Sequence, residues 1–169
     1  VLQWIEAEFP LVRASPRSES RRRAKVTATL DWIEGGEWLR PDLALVHVHR
    51  RRFEPTPCLD LYTFEVKPKG TRGLPGLHQT LAQGRIGDFV LYVLADEVSV
   101  APEVIEQATR YGVGIVTAAN ARRWDTYRLE VTPRRMNPDP DLRDQFLTRA
   151  FDGEAGDEVL NWLGVRAKR

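Results

Sequence analysis

The spacing of apolar and polar residues predicts strands and helices along the whole chain. Residues 38–49 are predicted as a strand around the apolar run 43–48, and residues 59–67 alternate in the manner of a half-buried strand. Residues 88–95 form the most apolar run and predict a central strand that is buried on both faces. Weaker strand patterns cover residues 26–33, 114–118 and 128–131. Apolar residues at helical spacing predict helices over residues 2–9, 77–86, 102–111, 141–151 and 157–165.

The segment before the first long strand has more than one interpretation. Residues 12–25 are rich in Ser, Pro and Arg, which predicts a loop or a weak basic helix that begins at Ser15. Residues 26–33 are rich in β-branched residues and precede Gly35-Gly36, which favours a hairpin into the strand that follows. The alternative is one long helix over residues 15–33.

The order of these elements predicts one α/β domain with a mixed central sheet and helices on both faces. A strand, a helix and a second strand over residues 88–118 imply a parallel crossover, which is added to a set of antiparallel hairpins. A chain of 169 residues has room for one domain with a proper core. We expect the last two helices to cover the sheet or to bind a partner.

Charged residues interrupt the two strongest strands of the first half. Asp42 follows Pro41 at the start of one strand, while Glu65 and Lys67 lie two positions apart and therefore point to the same face of the next. A buried carboxylate is unfavourable unless it is paired or bound to a metal. Two carboxylates beside one ammonium are what metal-assisted phosphodiester cleavage needs. The alternatives are an ordinary Pro-Asp turn and a same-face ion pair on an edge strand.

The spacing of these residues resembles a known motif. Asp42, preceded by Pro41, is followed 23 positions later by Glu65-Val66-Lys67, which is similar to the PD-(D/E)xK motif of a nuclease superfamily. A helix, a strand and a further helix-strand unit come after the motif. The resemblance covers about residues 1–117 and implies a restriction-endonuclease-like α/β domain over residues 1–135. A helical C-terminal extension over residues 136–169 would follow it.

The resemblance implies a metal-dependent nuclease, an endonuclease that hydrolyses phosphodiester bonds of nucleic acid with Mg²⁺ or Mn²⁺. DNA is favoured over RNA as its substrate, and the sequence leaves both open. The metal ligands that the resemblance implies are Asp42, Glu65, the carbonyl of Val66 and Glu6 of the first helix. Lys67 would orient or deprotonate the attacking water, and Gln79, which is preferred over Gln83 of the same helix, would help to hold substrate or water. Glu6 also fits a solvent-facing position on a short helix. The alternative function is a catalytically inactive module of the same fold that binds nucleic acid or a partner protein.

Composition narrows the class of protein further. Hydrophobic residues make up 42% of the chain and charged residues 29%, and no apolar run approaches the roughly 20 residues of a membrane span, so we expect no membrane role. The single cysteine, Cys58, excludes an internal disulfide and suits a reducing cytoplasm. The chain begins at Val1 without a signal-peptide pattern, from which we expect a piece of a longer protein. A homodimer or a place in a larger complex also stays open.

The formal net charge is only +1, so the distribution of charge has to indicate any nucleic-acid partner. Two arginine clusters lie on either side of Asp42 in sequence and are candidates for binding phosphates. They are Arg21, Arg22 and Arg23, and Arg50, Arg51 and Arg52. His47 and His49 share one face of their strand, as zinc ligands can, but they lie opposite Asp42 and have no clear third ligand. We expect His47 and His49 instead to be partly exposed residues beside a basic loop.

Overall fold

The computed structural model describes residues 1–9, 20–31, 39–50, 53–70, 73–97 and 99–165. Within these ranges the chain forms helices on both faces of a β-sheet. The helices are α1 (Leu2–Glu8), α2 (Leu74–Ala82), α3 (Pro102–Tyr111), α4 (Pro140–Ala150) and α5 (Glu154–Leu163). The strands are β1 (Ser20–Val26), β2 (Leu43–His49), β3 (Cys58–Lys67), β4 (Phe89–Ala95), β5 (Gly114–Ala118) and β6 (Tyr127–Val131). Short 3₁₀ turns cover Gln83–Arg85 and Trp124–Thr126.

The described strands form one mixed sheet in chain order, from β1 to β6. β1, β2 and β3 pair antiparallel, β4 and β5 continue parallel to β3, and β6 is antiparallel to β5. Parallel neighbours need a crossover, and α2 and α3 provide the two crossovers. The carboxyl ends of β3, β4 and β5 therefore lie along one edge of the sheet, which we call the carboxyl edge.

The two faces of the sheet are covered by different helices. On one face, which we call the α1 face, Trp4, Ile5 and Phe9 share a hydrophobic cluster with Leu45 of β2 and Phe64 of β3. On the opposite face, α2 and α3 pack on β4 and β5, and α4 and α5 pack on β2 and β3. The predicted α/β fold with a mixed sheet between helices is confirmed, as is the prediction that the last two helices cover the sheet.

Local sequence explains where several helices begin and end. Gly112 ends α3 in the left-handed conformation, with φ of 78°, as its sequence position predicts. The Asp139 carboxylate caps α4 by accepting hydrogen bonds from the backbone N–H groups of Asp141 and Leu142 at 3.0 and 3.2 Å. Gly164 ends α5 in the left-handed conformation as well. These limits therefore follow from short-range signals in the sequence.

Most predicted elements are found close to their predicted limits. α3 and β5 have the predicted limits, and α1, β3, β4, β6, α4 and α5 differ from them by no more than three residues. α2 begins at Leu74, and the last part of its predicted range is the 3₁₀ turn Gln83–Arg85. β2 begins at Leu43, which is the first residue of the apolar run.

The prediction for the segment before β2 is wrong. β1 occupies Ser20–Val26, where the composition predicts a loop or a basic helix, and Leu30 donates its N–H to the Thr27 carbonyl at 3.0 Å in a turn after the strand. The long-helix alternative also fails over residues 20–31. Ser15 and Gly35-Gly36 lie outside the described residues.

The physical reason is that β1 lies at the edge of the sheet. Its residues are exposed or half-buried, and only Ala24 is buried, so the strand lacks the apolar alternation that identifies an interior strand. Its backbone pairs with β2 over the whole strand, from Ser20 opposite His49 to Val26 opposite Leu43. Pairing with β2 therefore makes this segment a strand, and the composition of the segment does not.

Candidate active site at the carboxyl edge

The motif residues Asp42 and Glu65 meet at the start of β2 and the end of β3. Leu43 lies opposite Phe64 in the register, and both side chains pack on the α1 face. Side chains alternate along strands, so Asp42 and Glu65 are directed to the opposite face. Asp42 Oδ2 accepts a hydrogen bond from the backbone N–H of Val66 at 2.7 Å. This hydrogen bond holds the Asp42 carboxylate against β3, one residue beyond Glu65.

Glu65 is the centre of a group of hydrogen-bonded side chains. Its Oε1 forms an ion pair with Lys67 Nζ at 2.6 Å, and its Oε2 accepts a hydrogen bond from Gln83 Nε2 at 2.7 Å. Lys67 Nζ also donates to Gln79 Oε1 at 3.1 Å. Glu65 is only 1% exposed and lies on an interior strand, unlike a pair on a solvated edge strand. We call Asp42, Glu65, Lys67, Gln79 and Gln83 the Glu65 cluster.

The electrostatics of the cluster follow from burial and from the second carboxylate. Burial raises the pKa of Glu65 above its ordinary value, and the nearby charge of Asp42 raises it further. The hydrogen bonds and charge contributed by Lys67 and Gln83 lower the pKa but do not cancel the rise. A buried carboxylate beside a like charge gains from a bound cation, which is the pattern of many functional sites.

Four of the side chains that are predicted to act in catalysis or to bind the metal are therefore close together, and one is elsewhere. Asp42, Glu65, Lys67 and Gln79 are linked directly or through the backbone of Val66. Glu6 is exposed on α1, which packs on the other face of the sheet. No hydrogen bond or ion pair in the described part of the chain joins Glu6 to the Glu65 cluster.

Sequence reasoning considers both Gln79 and Gln83 and prefers Gln79, whereas the structure brings both side chains to the Glu65 cluster. Gln83 is fully buried at 0% exposure and directs its amide nitrogen to Glu65, while its Oε1 has no hydrogen-bond partner among the described residues. The available signal was the spacing, since residues four apart on a helical segment face the same way. Gln83, at the end of α2, therefore lies on the same side of the helical segment as Gln79 and reaches the Glu65 carboxylate.

A cavity of about 510 Å³ lies at the carboxyl edge, between the beginnings of α2 and α3, and its described lining includes no residue of the Glu65 cluster. Tyr92 of β4 lines it, and the Tyr92 hydroxyl accepts the Gly73 N–H at 3.1 Å and donates to the Gly73 carbonyl at 3.3 Å. Gly76 makes this approach possible, because a Cβ there would lie 2.5 Å from the hydroxyl oxygen. Burial raises the pKa of Tyr92, and the charges of Lys67 and Glu65 also act on it. The cavity and the cluster are therefore neighbours through Tyr92.

The first arginine cluster lies on β1, and its three side chains have different contacts. Arg21 is exposed, and it lines a small cavity of about 140 Å³ with Arg50 and with Trp162 of α5. Arg23 pairs with Glu158 of α5 at 3.6 Å. Arg22 is half-buried, and its charge acts on His47. The antiparallel pairing of β1 with β2 thus joins parts of two clusters that are separate in sequence.

The second arginine cluster follows the end of β2. Arg50 is exposed, while Arg51 and Arg52 lie outside the described residues. Asp42 precedes the other end of β2, so an extended strand separates it from Arg50 by roughly 25 Å. Arg50 therefore lies at the end of β2 away from the Glu65 cluster.

A second polar group lies at that end of β2, on the α1 face. The rings of His47 and His49 stack with centroids 4.8 Å apart, and His49 Nε2 lies 3.1 Å from Asp60 Oδ2. The Ser20 hydroxyl of β1 lies 2.7 Å from His47 Nε2. Asp60 is the third ligand candidate that sequence reasoning missed, because only the register of β2 and β3 places it opposite His47. His47 is 8% exposed, so the expectation that it is partly exposed is wrong.

Burial lowers the pKa of His47 to about 4. The neighbouring charges of His49 and Arg22 lower it as well, while Asp60 raises it. His47 is therefore a neutral imidazole near pH 7.

Asp60 also belongs to an extended set of ion pairs. Its Oδ1 pairs with Arg135 Nη2, and Arg135 Nη1 lies 2.9 Å from Asp88 Oδ1. Asp88 Oδ2 accepts hydrogen bonds from Arg143 at 2.7 Å and from the Leu61 N–H at 2.8 Å. Burial raises the pKa of Asp88, although the Leu61 hydrogen bond and the two arginines lower it. We call Asp60, Asp88, Arg135 and Arg143 the arginine network.

No protein-family model and no curated protein sequence matches the chain. A solved structure of a protein of unknown function from Silicibacter pomeroyi is similar to it, with a TM-score of 0.38 and 11% sequence identity. The match covers 78% of this chain and 71% of that protein. Among the described residues, the helices are too short or too polar to cross a membrane.

Proposed function

We propose that the chain is a metal-dependent nuclease of the PD-(D/E)xK type that hydrolyses phosphodiester bonds in DNA with Mg²⁺ or Mn²⁺. The observation that carries the proposal is the meeting of Asp42, Glu65 and Lys67 at the ends of two adjacent strands, with Glu65 buried beside a second carboxylate. The order of elements agrees with the resemblance, because β2 and β3 are followed by α2, β4, α3 and β5. The cavity at the carboxyl edge offers room for a substrate group.

The polar atoms of the Glu65 cluster fit a hard divalent cation. Asp42 and Glu65 offer carboxylate oxygens, which Mg²⁺ and Mn²⁺ prefer. Val66 lies beyond the last residue of β3 that pairs with β2, Phe64, so its carbonyl is not used by that pairing. The buried, unpaired Oε1 of Gln83 is a further acceptor next to Glu65. Bound there, the cation would polarise the scissile phosphate and lower the pKa of the attacking water.

Lys67 has the geometry to orient that water. An ammonium has three N–H donors, and two of them are directed to Glu65 and Gln79. No described residue accepts a hydrogen bond from the third in addition, so it would be available for a water molecule beside the carboxylates. The carbonyl oxygen of Gln79 holds the ammonium in place, so Gln79 acts as a positioning residue for Lys67.

The arginines would contribute to binding DNA rather than to cleavage. Arg21 and Arg50 line one cavity, roughly 25 Å from Asp42 along β2. At 3.4 Å for each base pair, a duplex that followed β2 would cover this distance in roughly seven base pairs. Their phosphate contacts would then set the position of the duplex several base pairs from the cut.

The test is a cleavage assay on duplex DNA, single-stranded DNA and RNA, each with Mg²⁺, with Mn²⁺ and with a chelator. We expect metal-dependent cleavage of DNA, and a loss of about 100-fold or more in Asp42→Asn, because the variant lacks one carboxylate ligand. Asp144→Asn is the matched control, since Asp144 is an exposed carboxylate on α4. Cleavage that persists in Asp42→Asn, or no cleavage of any substrate by folded protein, would refute the proposal.

A second candidate, a catalytically inactive module that binds nucleic acid or a protein, is favoured by a different observation. Both carboxylate oxygens of Glu65 already have protein partners, Lys67 and Gln83. An ion would have to compete with these contacts. Binding of nucleic acid that is independent of Mg²⁺ and is not followed by cleavage would support this candidate.

A further inference from the structure

We propose that His47, His49 and Asp60 form a binding site for one divalent transition-metal ion, of which Zn²⁺ is the best fit. One ring nitrogen of each histidine and one carboxylate oxygen of Asp60 lie within 4.8 Å of one another. β2 supplies both histidines and β3 supplies the aspartate, so the ion would join the two strands. The site is independent of the proposed nuclease function, because it lies on the other face of the sheet and at the other end of β2 from Asp42.

The distances suit a tetrahedral ion. Ligand atoms that each bind Zn²⁺ at 2.0 to 2.2 Å are about 3.3 Å apart. His49 Nε2 and Asp60 Oδ2 are already 3.1 Å apart, so an ion can replace the hydrogen that they share with almost no movement. The two imidazole rings are stacked, so rotation about their side-chain torsions would have to close the remaining gap to His47.

The buried Nδ1 of His47 points to a missing partner. It has no hydrogen bond to any described residue, and His47 is only 8% exposed to solvent. Buried polar atoms of folded proteins nearly always have a partner. The other ring nitrogen, Nε2, lies 2.7 Å from the Ser20 hydroxyl. His47 therefore binds the ion through Nδ1 and donates its Nε2–H to Ser20.

The surrounding residues hold the ligands as outer-shell partners of metal sites do. Metal-binding histidines usually donate their second ring N–H to a fixed group, which sets the tautomer and the ring orientation. Ser20 has this position for His47. Arg135 pairs with Oδ1 of Asp60, which fixes the carboxylate and leaves Oδ2 beside His49. Arg135 is held in turn by Asp88.

The ligand types select the kind of ion. Two imidazoles and one carboxylate suit Zn²⁺ and related first-row ions, whereas Mg²⁺ prefers oxygen ligands alone. A hydrolytic Ser-His pair is a poorer explanation of the same contacts. Such a pair needs an acidic group on the second ring nitrogen, and Nδ1 of His47 lacks one among the described residues.

The experiment is a titration of chelator-treated protein with Zn²⁺ by calorimetry and with Co²⁺ by visible absorption. We expect one saturable site per chain, the visible absorption bands of tetrahedral Co²⁺, and a Zn²⁺-dependent rise in the melting temperature. His49→Gln and Asp60→Asn should each weaken Zn²⁺ binding at least about tenfold, because each removes one of three ligands. His78→Gln is the matched control, since His78 is the third histidine of the chain and is exposed on α2.

Several outcomes separate this site from the Glu65 cluster. Zn²⁺ binding that is unchanged in Asp42→Asn, and that an excess of Mg²⁺ does not displace, supports the site. Zn²⁺ binding that disappears in Asp42→Asn, that keeps its wild-type affinity in His49→Gln, or that does not saturate overturns it. Metal-free melting curves of each variant verify folding, and His49→Gln leaves the pairing of Asp60 with Arg135 in place if Asp60→Asn fails to fold.

Discussion

The Glu65 cluster and the arginine network lie at opposite ends of β3, and each contains a buried carboxylate with a different set of partners. Glu65 has one ammonium partner and one amide partner, and the Asp42 carboxylate lies close by. Asp88 accepts hydrogen bonds from two guanidinium groups, those of Arg135 and Arg143, and from one backbone N–H. Burial raises the pKa of both Glu65 and Asp88.

The comparison shows that a raised pKa alone does not separate a functional carboxylate from a structural one. Desolvation is the largest cause of the shift at both residues. The difference lies in the balance of neighbouring charges, because Arg135 and Arg143 together compensate the two carboxylates Asp88 and Asp60, whereas Lys67 alone compensates Glu65 and Asp42. We therefore expect the arginine network to stabilise the fold. We expect the Glu65 cluster to lower the free energy of unfolding and to serve catalysis.

The largest effect is expected for Lys67→Ala. We expect the cleavage rate to fall by about 100-fold or more, because the ammonium acts on the attacking water in the transition state. DNA affinity should stay within a few-fold of the wild type. Cleavage and affinity are to be measured in parallel with Lys69→Ala, which removes an exposed lysine from the next loop and should change neither. Equal losses of affinity and of rate in Lys67→Ala would show that Lys67 only binds substrate.

The next effect is structural and concerns Asp88→Asn. Removing the charge leaves Arg143 and Arg135 without their shared carboxylate, and breaking a buried ion pair typically costs 3–5 kcal/mol. Arg135 is 46% exposed and can turn to solvent, so we expect the free energy of unfolding to fall by about 3 kcal/mol, the lower end of that range. Chemical denaturation near pH 7 measures this change. A loss of cleavage without a loss of stability would contradict the assignment of Asp88 to the fold.

The smallest effect, with the opposite sign, is expected for Glu65→Gln. The folded-state pKa of Glu65 is raised, so the folded protein binds this proton more tightly than the unfolded chain does. The free energy of unfolding therefore falls as the pH rises from the ordinary value of 4.5 toward the raised pKa. Glu65→Gln removes this fall, and we expect its melting temperature at pH 7 to equal or exceed that of the wild type.

Denaturation of wild type and Glu65→Gln between pH 4 and pH 8 tests the sign. The difference in the free energy of unfolding should grow in favour of the variant as the pH rises above 4.5. Asp88 makes the same contribution to the pH dependence of both proteins, so this contribution cancels in the difference between their free energies of unfolding. A large drop in the melting temperature of Glu65→Gln would make its pairing with Lys67 a structural ion pair.

Some site residues were predictable from the sequence, and others were not. Asp42, Glu65 and Lys67 stand out because a charge within an apolar strand is conspicuous whatever the strand contacts. Asp60 does not stand out, and no local pattern favours Gln83 over Gln79, since each gains its role from a partner that another element supplies.

The sequence by itself determined most of the elements, because periods of two and 3.6 residues, glycine stops and proline breaks are local properties. The limits of α3 and β5 are examples. Only the tertiary structure decided that the basic segment Ser20–Val26 is a strand, because the open edge of β2 supplies its hydrogen bonds. Only the tertiary structure joined Asp60 to Arg135, 75 residues away. Contacts of this kind depend on strand register and on how segments distant in sequence pack, which no local pattern encodes.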